Sequence, residues 1–484
     1  MATRSLAAKA ADNLGLTTLS KCSKDIYILL TTRFIRMIAY GSSTLILALY
    51  FSALNFTDTQ IGLFMSLTLV GDVAISLVLT LVADRLGRRR ILIGGALLMA
   101  LSGIIFAISG NFWFLLAAAV VGVISPSGNE IGPFRAVEES TIAHLTEAET
   151  RSDVFAWYVI AGTLGTAGGS LSCGWAVQRL QDSGWSAIQS FRVIFWFYTL
   201  AGLVKAASSL LLSPACEAPP KPQPVQQDDS AGEELQPFLD SADAEDTTPK
   251  PAPKKPGLFG LSAKSQATLT KLCMLFFFDS LASGMVPGSL VAFFVNRKFG
   301  MPEGQLGTIM SSASFASSIG NVFASAIAKR IGLVKTMVFT HFPSAVLLAL
   351  FPFPSSLTVT AVLLVARSLL SSMDQAPRSA FLSAVVLPEE RTAVMGIVNT
   401  VKTMSQSSGP LITGVLAGKN HFWVAFVIAG VLKGSYDMGL LAMFVNTRIE
   451  GDAKAKAPPG ETSAVSEDAG DQSEDEQLDG RSRK

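Results

Sequence analysis

The chain has 484 residues, of which 49% are hydrophobic and 15% charged, with a net charge of +1 and a mean hydropathy of +0.43. Soluble globular proteins carry about 25% charged residues, so an ordinary soluble domain is excluded, and the near-neutral balance gives no reason to expect a nucleic-acid partner. Cys22, Cys173, Cys216 and Cys273 show no CxxC spacing and no even framework, which implies neither a metal centre nor a disulfide staple.

Residues 1–25 read as a cytosolic N-terminal tail. The stretch has no apolar core followed by a small-residue cleavage site, as a signal peptide would, and Asp12 and Asp25 argue against a transit peptide. Apolar runs then fall near 26–54, 58–83, 91–109, 112–137, 153–178 and 188–213. A membrane-spanning helix needs about 20 such residues, so residues 26–214 are expected to form a six-helix bundle. Residues 215–265 break the pattern with "CEAPPKPQPVQQDDSAGEELQPFLDSADAEDTTPKPAPKKP", which cannot bury a core. Six further runs, near 266–296, 304–328, 333–351, 355–383, 391–418 and 421–447, predict a second bundle over 266–447. An acidic tail occupies 448–484. Linker and tail are expected to be disordered and cytosolic, offering sites such as Ser466 and Ser473 to kinases or trafficking factors. The fold class is thus all-α and polytopic: twelve transmembrane helices as six plus six, in the lipid bilayer.

Sidedness follows from the basic residues. Arg4, Lys9, Lys21 and Lys24 precede the first helix, Arg85, Arg88, Arg89 and Arg90 join helices two and three, and Lys329, Arg330 and Lys335 join eight and nine. The connections "LNFTDT", "SGN" and "PFPSS" carry none. Arg179, Arg192, Arg297 and Lys298 are exceptions, but the balance puts both termini inside.

The two halves repeat in the same orientation. "QIGLFMSLTLVGDVAISLVLTLVADRLGRRRILI" from Gln60 lies over "QLGTIMSSASFASSIGNVFASAIAKRIGLVKTMV" from Gln305, and "NEIGPFRA" lies over "MDQAPRSA". "ETRSDV" matches "EERTAV" and "LAGLVKA" matches "IAGVLKG", in the same order, pairing Arg151 with Arg391 and Lys205 with Lys433. Matched segments in order mark a duplicated unit.

The loop "ADRLGRRR" resembles the G-x-x-x-D-R-x-G-R-R/K motif of the major facilitator superfamily, and with the duplication the resemblance covers about residues 26–447. "SSMDQAPRSAFLSAVVLPEER" is similar to the tenth-to-eleventh helix region of broad-specificity or uncharacterised members. Two departures stand out. Thr80 takes the place of the motif's leading glycine, and helix five, "AGTLGTAGGSLSCG", lacks the Gly-Pro pair of the proton antiporters, which occurs instead in helix eleven as Gly409-Pro410. The glycines Gly162, Gly165, Gly169 and Gly174 are therefore read first as close-packing positions.

Ionisable groups at membrane depth each cost at least about 2.5 kcal/mol to insert. The resemblance implies that helices one, four, seven and ten line a central cavity, which assigns Arg36, Glu130, Asp279, Arg367 and Asp374 to the substrate and proton site. Asp279 and Arg367 are each near mid-depth, where they hold each other, a substrate or a proton. Resemblance also implies that Asp84 meets the end of helix four, with Arg135 as its partner. An inner gate is thereby expected from Asp84, Arg85, Arg88, Arg89, Arg135, Glu138 and Glu139, with Arg88 or Arg89 facing Glu138 or Glu139 and a weaker copy in Asp374, Arg378 and Arg391. The bland alternative is a solvated helix end.

Asp72 lies 12 residues before Asp84 (84 − 72) and Lys402 lies 11 after Arg391 (402 − 391), about 18 and 16 Å from the same membrane face. They are expected to pair across the halves, the alternative being that Lys402 faces the cavity, for an anionic substrate or Asp374. Arg33 is expected to snorkel to the cytosolic headgroups and Lys205 to snorkel inward, and Lys433 and Asp437, four apart on helix twelve, to neutralise each other.

These readings point to a secondary active carrier of a small organic molecule, working by alternating access, proton-coupled and with export one open direction; a facilitative carrier or transporter-like nutrient sensor is the alternative. No ATP-binding motif appears, no cofactor is expected beyond a proton gradient, and His144, His341 and His421 show no metal-ligand spacing. Nor does a nucleophile motif point to an enzyme. The plasma membrane is the expected location, with a vacuolar or other internal membrane as alternatives.

Overall fold

The computed structural model describes residues 16–122, 124, 133–147, 150–217, 263–386 and 391–444, with some side chains within these ranges left out. Among the predicted site residues, Glu130 lies outside the described residues, and the side chains of Asp84, Arg85 and Arg391 lie outside the described side chains. The linker and tail fall almost wholly outside them too.

The described residues form α-helices and one 3-10 turn. After α1 (Leu16–Ser20), the first half contains α2 (Lys24–Ala53), α3 (Asp58–Leu86), α4 (Arg88–Ile108), α5 (Phe112–Gly122), α6 (Pro133–Leu145), α7 (Arg151–Asp182) and α8 (Ala187–Leu210). The second half contains α9 (Ala263–Met285), α10 (Gly288–Phe299), α11 (Glu303–Ile331), α12 (Leu333–Leu350), α13 (Leu357–Ser372), α14 (Gln375–Val385), α15 (Arg391–Gly418) and α16 (Phe422–Phe444). Eight spans among the described residues are long and apolar enough to cross a membrane, and the bent pair α9–α10 makes a ninth. Helices α11 and α15 are long enough, at 29 and 28 residues. Their runs "SSASFASSIGN" and "NTVKTMSQSSGP" explain why they are less apolar.

Breaks replace continuous helices where the sequence analysis expects the seventh and tenth. The α9–α10 pair bends by 44° at "MVPG", where Pro287 cannot donate to the helix ladder. Residues Met373 and Asp374 separate α13 from α14. The duplication shows in the tight turns: Gly87 before α4 and Gly332 before α12 both sit at φ 87°, a region that only glycine enters cheaply.

Two ends of the bundle behave differently. Call the end where α2 begins and α16 finishes the tail face, and the end bearing the 53–58, 182–187, 299–303 and 418–422 connections the hairpin face. One buried apolar cluster draws on both halves, joining Leu45, Phe51, Phe64 and Phe195 to Met285, Phe294, Leu306 and Phe426. Nearer the tail face the core divides. One cluster, with Ile26, Ile91, Ile142 and Tyr158, belongs to the first half, and another, with Leu272, Phe276, Met337 and Phe381, belongs to the second.

Side-chain and backbone contacts between halves follow the same division. The hydrogen bonds joining them include Arg297 to Asp58 (2.6 Å), Gln181 to Glu303 (3.1 Å), Gly304 N to Gln178 (3.2 Å), Trp175 to Thr308 (3.2 Å) and Leu411 N to Ser66 (3.0 Å). All lie within about 12 Å of the hairpin face along their helices. Glycine permits this approach. A Cβ on Gly62 would collide with the Pro410 carbonyl, and one on Gly174 with that of Glu303. Gly62 packs on Gly414 and Gly174 on Gly307, so the two crossings α3–α15 and α7–α11 are repeat-related copies. Among the described residues, the halves are closed on the hairpin face and have separate cores toward the tail face.

Candidate ion-pair and substrate site

Each half buries an ionic cluster. In the first, α6 delivers Glu138 with none of its surface exposed. Its carboxylate accepts from Arg36 on α2 (2.7 Å), Lys205 on α8 (2.7 Å) and the Tyr158 hydroxyl on α7 (2.7 Å). Arg33, one turn before Arg36, donates to the Tyr158 hydroxyl (2.8 Å) and carbonyl (2.9 Å) and lies 3.8 Å over its ring. Gly162 of α7 leaves the room that the Arg33 guanidinium occupies. Glu138 is saturated by three donors, two of them cationic.

In the second half, α9 delivers Asp279, which is buried. It accepts from Arg378 on α14 (2.6 Å) and Lys433 on α16 (2.7 Å). Arg378 also bonds Asp374, four residues before it, and Lys433 also donates to Ser283 (2.9 Å). His341 on α12 extends the cluster. Its Nδ1 lies 3.0 Å from Asp437 and its Nε2 lies 3.8 Å from Asp279. Lys402 on α15 sits 5.3 Å over the Phe276 ring.

The repeat relates these two clusters with one inversion. Arg36 stands five residues before Gly41 (41 − 36), and Asp279 five before Gly284 (284 − 279); both glycines press against a backbone carbonyl of the neighbouring helix, that of Thr166 or Gln406. Lys205 and Lys433 occupy matched sites on the last helix of each half. The lysine reaches inward both times, but the acid lies on α6 in the first half and on α9 in the second, opposite Arg36 and Arg378 respectively.

Several expectations need correction. Asp279 is held by Arg378 and Lys433 rather than Arg367, since Arg367 makes no hydrogen bond or ion pair with it. Lys433 and Asp437 do not neutralise each other: they turn to Asp279 and His341. Lys205 and Arg33 do not snorkel but are buried, at 1% and 5% exposure. Glu138 faces the protein interior instead of Arg88 or Arg89. Those two place their backbone N–H groups on Glu217 (2.7 and 3.2 Å), at the start of the linker. Arg135 pairs with Glu139 (2.6 Å) on an exposed helix face. Asp72 is buried, and no ion pair joins it to Lys402, which stands instead within electrostatic range of Arg378, Asp279 and Asp374. Asp374 and Arg378 belong to the Asp279 cluster.

The glycines of helix five do pack as expected, with Gly165 and Gly169 against the α2 backbone. Sequence reasoning missed His341, Lys205, Lys433 and Tyr158. The lysines had a signal, because they align in the repeat. His341 offered only its presence in an apolar helix.

Comparison with known proteins agrees with this architecture. The sequence matches the Major Facilitator Superfamily over residues 29–271 and 272–470. It is 35% identical over 442 residues to an uncharacterised membrane protein of Saccharomyces cerevisiae, covering 90% of this chain and 97% of that one. The fold is similar to the crystal structure of the nucleoside transporter NupG, at a TM-score of 0.64 and 14% identity, covering 87% of this chain and 99% of the other. It is also similar to the xylose transporter XylE from E. coli in an inward-open conformation, at a TM-score of 0.62 and 14% identity, covering 89% and 99%.

Proposed function

The chain belongs to the Major Facilitator Superfamily, and from that premise we propose that it is a proton-coupled secondary carrier of a small organic molecule, working by alternating access. It is a multi-pass membrane protein, and its family and fold are those of transporters. The observation that carries the reading is the division of the bundle among the described residues: one shared core at the hairpin face, separate cores toward the tail face, and a buried ionic cluster within each half. Two halves joined at one end only can rock about a site between them.

In this reading the tail face is cytosolic, in keeping with Arg88, Arg89, Arg90 and Arg330, and the conformation is open to the cytosol. Charges at that face, Asp84, Arg85, Arg135, Glu139 and Arg391 among them, close it in the opposite state. Asp279 carries the coupling proton. It is faced by Arg378 and Asp374 around α14, His341 on α12, Lys433 and Asp437 on α16, and Lys402 on α15. When ionised it clamps Arg378 and Lys433 together. When protonated it loses two charge-assisted bonds, while Arg378 keeps Asp374 and Lys433 keeps Ser283, so α14 and α16 are freed from α9 without leaving either cation bare.

The test is flux of candidate solutes into vesicles reconstituted with the full chain, with and without an imposed proton gradient. Uptake accelerated by the gradient supports the reading. Uptake indifferent to it makes the protein a facilitative carrier, and its absence for every solute tried, alongside signalling through the tail, makes it a sensor.

A further inference from the structure

Arg367 is chemically isolated. The other cations buried in the second half have compensation: Arg378 has Asp279 and Asp374, Lys433 has Asp279 and Ser283, and Lys402 has the Phe276 ring with Asp279 and Asp374 in electrostatic range. Arg367 has no hydrogen bond or ion pair among the described residues, and its Nε is buried without an acceptor. The buried acids Asp279, Asp374 and Asp437 are already taken.

Its position is central. Arg367 lies ten residues into α13 (367 − 357), about 15 Å from the hairpin face and so near the middle of a hydrocarbon layer about 30 Å thick. At helical spacing it shares a face with Thr360 and Leu364, exposed to 1% and 4%. That face is turned away from Val359 and Val362, which are exposed to 48% and 61%. The side chain therefore points into the protein and not to lipid, and it keeps partial solvent access. A guanidinium cannot shed its proton, so neutralising itself, as a buried lysine can, is not open to it. An uncompensated cation at this depth costs several kcal/mol. Structural roles, which give such a group its own acid, do not explain it.

We propose that Arg367 recognises an oxyanion of the transported molecule, a carboxylate or phosphate, through the two parallel N–H bonds its planar fork offers. The inference rests on the carrier reading and sharpens it: the substrate class is an organic or phosphorylated anion. The empty site keeps a cost that binding relieves.

The experiment is thermal unfolding of the purified full chain with benzoate, succinate or inorganic phosphate, each set against an uncharged counterpart (benzamide, succinamide, glycerol). At least one anion should raise the melting temperature of the wild type, and the uncharged probes should not; whether phosphate or a carboxylate acts tells the two chemistries apart. In Arg367→Gln the anion's apparent affinity should fall about ten- to a hundredfold, with partial recovery in Arg367→Lys. The ligand-free Arg367→Gln protein should itself melt higher than wild type, an effect opposite to that of losing a structural residue. Failure of all three anions, an anion effect kept in Arg367→Gln, or a lower melting temperature for that empty variant would overturn the proposal. The carrier reading fails separately, when vesicles show anion binding without flux, and flux of uncharged solutes alone overturns the site while leaving the carrier.

Discussion

The two ionic clusters descend from one repeat, yet each is built round an acid on a different helix, Glu138 on α6 and Asp279 on α9. Glu138 holds Arg36, Lys205 and Tyr158, and Tyr158 in turn accepts from Arg33. Asp279 shares Arg378 with Asp374, shares Lys433 with Ser283, and leads through His341 to Asp437. A carboxylate that accepts from two cations and a hydroxyl at once resists a proton, which would remove two charge-assisted bonds. A cluster with alternative partners tolerates one. The difference suits a fixed first bundle against a second one that switches.

The largest effect expected from this contrast is on stability. Glu138→Gln leaves Arg36 and Lys205 facing a neutral amide, and breaking a buried pair in this way costs about 3–5 kcal/mol. It should abolish or sharply reduce recovery of monodisperse protein, measured by fluorescence-detected size exclusion and thermal unfolding. Asp279→Asn should lose less, because Arg378 retains Asp374 and Lys433 retains Ser283. Equal losses in the two variants would erase the distinction.

A second, smaller effect concerns the shared end of the halves. Gly62→Val places methyl groups against the Pro410 carbonyl, and overpacking of this sort costs about 1–3 kcal/mol. The hairpin-closed population should fall, seen as longer distances between spin labels at the exposed positions Ser183 and Lys419. An unchanged distance distribution would show that the glycine contact does not set the closed state. The smallest effect belongs to Arg135→Ala. Its pair with Glu139 is exposed and four residues apart, worth about 0.3–0.5 kcal/mol, so the melting temperature should barely move.

Much of the architecture was legible in the chain. Runs of apolar residues, the Pro- and acid-rich break and the matched segments were enough for an all-helical membrane fold in two halves, because the bilayer imposes length and the repeat imposes symmetry. The breaks were harder. Pro287 is visible, but a bend of 44° depends on the packing of α10 against α2 and α11. Charge partners were read poorly for a geometric reason. Sequence spacing pairs neighbours on one helix, as with Lys433 and Asp437, whereas a lysine side chain reaches across to a neighbouring helix. Lys205 and Lys433 stand on the last helix of each half, yet each reaches across to the acid of its cluster, Glu138 or Asp279. The latch between Asp72 and Lys402 failed likewise: equal depth along two helices says nothing of which way each side chain turns.

The central claim is that the Asp279 cluster, and not its saturated counterpart, carries the coupling proton. Reconstituted vesicles containing wild type or Asp279→Asn, both confirmed as folded by thermal unfolding, can be compared for flux of whichever oxyanion probe the wild type moves, under an imposed proton gradient and without one. The account predicts that the gradient accelerates wild-type flux and leaves Asp279→Asn at a single rate, while exchange of solute across equal pH persists in the variant. Gradient-driven flux that survives in Asp279→Asn would contradict it.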